Sequence, residues 1–317
     1  MLIYGQEYSQ TIGIGAGDSI EAVAFTANGE YLVGGGLEGV QVWRVKDGER
    51  VTTMKVGGVK CVAVSKNGRF IAAGSWNGDV LVWDGTTYEQ VFVVKIQGRP
   101  TIYDVDFSPD SSRLVSANRE DCTATICDIA ARKKVQTFHH GSWVLAAKYS
   151  PQGDRIATTG PESVHVWDSN DRKLLVDVKV GMDPWLLWFN NHLFAKTDNS
   201  KIKQIDASTG STISEWSVPP YSLSCIALPQ HGRFIAYSTR DNITFWDTST
   251  HTQLALISPT TKTRSIAFSP DDQLAIVSRE KKIIIKTLSL VKVCPVFFRW
   301  LPTREHLSHI QGPGHLY

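Results

Sequence analysis

The strongest constraint on this chain is a short strand-like string that returns at a nearly fixed interval. It reads VQVWR at residues 40–44, VLVWD at 80–84, VHVWD at 164–168 and ITFWD at 243–247. Three weaker copies are TATICD at 123–128, KIKQID at 201–206 and KIIIKT at 282–287. The place held by Trp in the strong copies is occupied by Trp43, Trp83, Cys127, Trp167, Ile205, Trp246 and Lys286, at intervals of 40, 44, 40, 38, 41 and 40 residues. A second marker runs upstream in register: AVAFTANG at 22–29, CVAVSKNG at 61–68, DVDFSPDS at 104–111, AAKYSPQG at 146–153, CIALPQHG at 225–232 and SIAFSPDD at 265–272. The remaining unit keeps only LLWFNN at 186–191. Two markers in register over seven units define a repeat architecture.

Each unit reads as four strands. Val23 and Phe25, with their equivalents, alternate with small or polar residues, the period of a half-buried strand. A turn rich in Pro, Asp, Asn or Gly follows. A short apolar strand such as LVGGG, FIAAG or RIATT comes next, then a polar turn, the VxVWD strand, and a fourth strand such as RVTTMKV or LLVDVKV. No segment carries an apolar stripe of helical period and length. One such unit cannot cover both of its faces, so neighbours must stack.

On these residues the chain resembles the WD-repeat family over about 19–290. The resemblance implies an all-β, seven-bladed β-propeller of four-stranded antiparallel blades around a central channel. Residues 1–290 are expected to form one propeller and 291–317 an irregular tail. Closure needs a fourth strand for the last blade. Residues 6–14 and 291–298 both qualify, and the N-terminal segment is preferred because nothing else uses it. In the family, a Gly-His pair before the first strand joins a hydrogen-bonded set with a Ser or Thr, an Asp and the Trp. Only His140 sits at the matching place here, where Thr158 or Thr159, Glu162 and Trp167 could complete a variant of that set.

Composition narrows the function classes. Lys and Arg number 33 against 31 Asp and Glu, a net charge of +2. That is no electrostatic footprint for nucleic acid. Five cysteines at irregular spacing are not a disulfide framework. The first residues lack the features of a secretory signal, and no apolar run reaches the ~20 residues of a membrane helix. A cytoplasmic or nuclear protein without a membrane partner is expected. Gly13, Gly15 and Gly17 lack the strand-before, helix-after context of a dinucleotide loop. Cys122 and Cys127 lack the companions of a zinc site, and His306, His309 and His315 stand without a Cys or carboxylate. No catalytic motif is present, no repeated inward-facing acids are evident, and neither cofactor nor metal is expected. The sequon at 242–244 enters a strand and is expected to be unused.

Functional residues are sought where the repeat breaks. Under the family resemblance, the turns between second and third strands share a face with the loops before the first strands, the usual partner surface. One place in those turns reads Leu37, Trp76, Arg119, Pro161, Asp198, Arg240 and Arg279 around the ring. Leu37 and Trp76 are thus flanked by Arg119, Arg240 and Arg279, with Arg99, Arg264, Lys281 and Lys282 nearby. Trp143 and Trp185 open two adjacent units and form a second candidate patch. Trp and Arg are enriched at interface hot spots. The expected function is a non-enzymatic scaffold, a monomeric propeller within a complex. Its expected partner is a protein or peptide, acidic and carrying an apolar anchor. The opposing view folds Trp76 over a neighbouring blade and pairs the arginines with Glu38, Glu120, Asp241 and Glu280. Two alternatives stand beside the scaffold: a channel that binds a small anionic ligand or sugar, and the sensor part of a larger signalling protein.

Overall fold

The computed structural model describes residues 8–15, 19–181, 185–197, 201–218, 225–239, 242–258, 262–278 and 282–288. They form seven four-stranded antiparallel sheets, with no helix among the described residues. Blade 1 is Ile20–Phe25, Tyr31–Gly36, Gly39–Arg44 and Arg50–Met54. Blade 2 is Val59–Val64, Phe70–Ser75, Asp79–Asp84 and Gln90–Lys95; blade 3 is Ile102–Phe107, Arg113–Asn118, Thr123–Asp128 and Lys133–His139. Blade 4 is Ala146–Tyr149, Arg155–Thr159, Ser163–Asp168 and Leu174–Lys179. Blade 5 is Leu186–Phe189, His192–Thr197, Lys201–Asp206 and Thr212–Ser217; blade 6 is Cys225–Ala227, Phe234–Ser238, Ile243–Asp247 and Gln253–Ile257. Blade 7 takes Thr263–Phe268, Gln273–Ser278 and Lys282–Leu288 from the end of the chain and Tyr8–Gly15 from its beginning.

The N-terminal strand therefore closes the ring. Tyr8–Gly15 runs antiparallel to Lys282–Leu288, with Ile12 opposite Ile285 and Ile14 opposite Ile283. Gly13 and Gly15 lie in this strand; Gly17, the rival donor 291–298 and the tail lie outside the described residues. Across the seam, Ile20, Val23 and Phe25 of blade 1 share one apolar cluster with Val277, Ile283 and Ile285 of blade 7. Arg264 of blade 7 completes the seam by donating to Ser19 Oγ at 2.9 Å and pairing with Glu21.

Both sequence markers have local physical causes. In the first turn of the unit the Ser hydroxyl does double duty. Ser65 Oγ donates to Asn67 and accepts the Phe70 N–H, each at 2.8 Å; Ser108 does the same with Asp110 at 2.6 Å and Arg113 at 2.9 Å. The last residue of the marker has positive φ in all six complete copies: Gly29, Gly68, Gly153 and Gly232, but Ser111 at 60° and Asp272 at 63°. A left-handed conformation favours Gly, so the two substituted copies carry local strain. The Asp of VxVWD caps the next turn. Asp84, Asp168 and Asp206 each accept two backbone N–H groups at 2.8–3.1 Å, which holds their carboxyls below the usual range.

The Trp column is packing. Trp43 and Trp83 are buried, and Cys127 fills the same place in blade 3 with no exposure. A Cβ on Gly34 would lie 2.7 Å from the Trp43 ring, so the glycines of LVGGG make room for that ring and for blade 2.

Candidate protein-interaction face

The face carrying the starts of the first strands and the turns between second and third strands gathers the residues that break the repeat. In blades 1 to 3 the turn residue is tied to the loop before its own first strand. Leu37 N–H donates to Ser19, Trp76 N–H to Gly58 and Arg119 N–H to Thr101, at 3.4, 3.0 and 3.1 Å. The backbone is fixed while the side chains remain free to reach solvent. Leu37 is 51% exposed, Trp76 39% and Trp143 44%. The Trp76 ring lies on Gly58, where a Cβ would come within 2.8 Å, so it folds back on its own blade's first loop rather than on a neighbouring blade.

The two expected patches meet at Arg119. Its guanidinium carbon sits 4.0 Å from the Trp143 ring centroid and 5.3 Å from that of Tyr103. Lys60 Nζ reaches the same Tyr103 ring at 5.3 Å. A ladder of cation and ring thus runs from blade 2 through blade 3 to blade 4: Lys60, Tyr103, Arg119, Trp143. Each exposed contact of this kind contributes ~0.5–1 kcal/mol. Glu120 does approach Arg119, at 3.4 Å, but its other oxygen is held at 2.6 Å by the Thr101 N–H. Arg119 Nε has no hydrogen-bond partner. Tyr103 is the member that the sequence reading missed; it stands where the other first strands carry Glu21, Lys60, Leu145, Trp185 and Arg264.

Trp185 is half-buried. It lines the channel mouth with Glu21, Lys60, Tyr103 and Arg264, in a cavity of about 580 Å³, whereas Trp143 packs on Arg119. Arg240 and Arg279, with Asp198 and Lys281, lie outside the described residues. Arg264 is engaged with Glu21 and Ser19 at the seam. Three acids that occur singly rather than in repeat, Glu21, Asp104 and Asp106, border the channel. Cations from neighbouring blades meet them. Lys60 lies 3.5 Å from Glu21, and Lys148 of blade 4 lies 2.7 Å from Asp104 of blade 3. The Ala147 and Tyr149 N–H groups donate to Asp104 and Asp106, at 3.2 and 2.8 Å. Burial disfavours charge on Lys148, yet Asp104 and Asp106 outweigh it and raise its pKa. Asp106, pushed up by burial against the pull of Lys148, reaches about 6.

The family's hydrogen-bonded set is only half built. Trp167 Nε1 donates to Thr158 Oγ1 at 2.8 Å. The His140 ring stacks on His165 instead of extending the set, and its Nε2 has no partner.

The WD domain, G-beta repeat family matches residues 48–84, 90–128 and 132–168, three consecutive units of the ring. Three consecutive units of the seven-bladed ring are thus WD40 repeats. WD repeat-containing protein 1 of Gallus gallus is 41% identical over 90 residues, 27% of this chain and 14% of that protein. Apoptotic protease-activating factor 1 of Danio rerio is 22% identical over 186 residues, 58% of this chain and 15% of that protein. WD repeat-containing protein 90 of Mus musculus is 22% identical over 283 residues, 82% of this chain and 12% of that protein. The chain therefore matches only a minor part of each relative's length. WD40 propellers are in general non-enzymatic scaffolds that bind proteins within complexes.

Proposed function

We propose that this propeller is a non-enzymatic scaffold whose docking surface is the upper face of blades 1 to 4. The observation that carries the reading is the ladder of Lys60, Tyr103, Arg119 and Trp143, with Trp143 44% exposed at its end. A guanidinium held against two rings has already lost much of its rotamer freedom, so less is lost when it meets a carboxylate. Leu37, Trp76 and Trp143 offer apolar contact beside it. The partner that fits is an acidic peptide or protein loop with one apolar anchor residue. Trp185 adds the channel side of this reading; Arg240 and Arg279, expected in its cationic rim, lie outside the described residues. Residues 1–290 are read as one monomeric propeller domain followed by a tail. The reading includes a cytoplasmic or nuclear setting, with which the four cysteines among the described residues, none of them in a disulfide, are consistent.

Binding of acidic peptides that carry a single Trp, Phe or Leu tests this directly, by fluorescence polarisation. Arg119→Glu combined with Trp76→Ala should weaken binding at least tenfold with little change in Tm. Equal binding by the variant removes the surface from consideration.

A further inference from the structure

Beside the loop that carries Trp143 lies a pair of histidines with no counterpart in the other units. His140 follows the last strand of blade 3. His165 stands in the third strand of blade 4, at the register held by Gln41 in blade 1 and Leu81 in blade 2. Their rings stack with centroids 4.0 Å apart and planes 22° from parallel. His165 Nε2 lies 3.1 Å from Ser163 Oγ and 3.3 Å from Asp177 Oδ1. His165 Nδ1 and His140 Nε2 are buried without a hydrogen-bond partner.

This stack anchors one end of the 140–145 loop. The His140 N–H donates to Cys122, in the same turn as Arg119, at 2.9 Å. At the other end the Leu145 N–H donates to Thr159 at 2.8 Å. Between them the Trp143 carbonyl lies so close to Gly160 that a Cβ there would be 2.4 Å away. Trp143 therefore reaches Arg119 only while the loop keeps this path.

We propose that the His140–His165 stack is an acid-released clasp on the docking surface: protonating both rings parts them, frees the 140–145 loop and takes Trp143 off Arg119. The clasp rests on the docking reading for its purpose but not for its mechanism. The charged groups facing the pair are Asp177 and Lys179, both on the fourth strand of blade 4. A first proton on His165 is met by Asp177. A second, on His140, faces a like charge at stacking distance and Lys179 beyond it. Burial first, then the neighbouring ring, holds His140 down to about 4, and burial lowers His165 as well. The rings are thus neutral and stacked at neutral pH and charge together only in acid.

The test is 19F NMR of the full chain labelled with 5-fluorotryptophan, with the Trp143 resonance assigned through Trp143→Phe. Between pH 7.5 and 3.5 that resonance should move toward the shift of a solvated indole. The transition should disappear in His140→Phe and in His165→Gln, which restores the residue type of blade 1. A Trp143 resonance that stays put at pH 3.5 in folded protein overturns the clasp. So does a transition that persists in both variants, because Asp106 titrates in the same window. Acidic-peptide binding on the same samples separates the two readings. If Trp143 moves as described yet no peptide binds at any pH, the docking reading fails and the clasp stands.

Discussion

Two polar clusters flank the first strand of blade 4 and solve the same problem differently. At the hub, Asp104 and Asp106 take the Lys148 ammonium and two backbone N–H groups between them, so nearly every polar atom is matched. Nearer the upper face, His140 and His165 are matched by stacking and by one side of one ring, and two nitrogens go without. A buried charge must be paired to be tolerated, whereas an imidazole can escape the cost by staying neutral. The hub cluster is therefore a fixed strut between blades 3 and 4. The histidine pair instead stays neutral until the pH falls well below the range of a free imidazole.

The largest effect that separates them is removal of the strut's cation. Lys148→Met leaves two carboxylates without their cation in the channel wall and should cost about 3–5 kcal/mol. Urea unfolding would show it as a large fall in midpoint at pH 7.5, and an unchanged midpoint would mean the charges are already solvated. A smaller effect should come from pH alone. The folded protein holds both imidazoles below their free pKa of about 6.5, so their stabilising contribution is complete above that value and is lost as pH falls toward 4. Wild type should lose about 1–2 kcal/mol between pH 7 and 5 relative to His140→Phe. Equal losses in the two proteins would show that the pair does not drive acid sensitivity. Smallest is Asp106→Asn. The fold prefers this acid protonated, so its cost builds as pH rises from the free carboxyl value of about 4 and is complete above about 6. The variant should gain up to ~1 kcal/mol at pH 7.5 and nothing at pH 3.5, measured by Tm at both values. A loss at pH 7.5 would place the net contribution of the Asp106 charge on the favourable side.

The ring itself was legible because its markers do structural work in most units. The Ser of FSPD closes a turn, the Asp of VxVWD caps another, and both act within a few residues of their own position. The N-terminal closing strand was legible for a different reason: Ile12 and Ile14 had no other sheet to join. The hub charges were not legible as a site because they break the repeat singly. Asp106 and Lys148 occupy one position in successive first strands, where Ala24 and Ala63 precede them, and only the ring brings them face to face. The same holds for the ladder of cations and rings. Sequence spacing isolates Arg119 and Trp143 as separate exceptions, and places Trp143 with Trp185. The path of the 140–145 loop across Gly160 turns Trp143 toward blade 3 instead. Tyr103 was passed over because an aromatic residue at a strand start is ordinary until a guanidinium is found above it.

The central claim is that the Arg119–Trp143 pair forms the heart of a partner-binding surface. It is tested most directly by selecting a random peptide library on the intact propeller and comparing wild type with Arg119→Glu. Enrichment of acidic peptides bearing one aromatic or aliphatic residue, lost in the variant and weakened by salt, is the predicted result. Enrichment of the same peptides by both proteins, or of basic peptides by wild type, would contradict it.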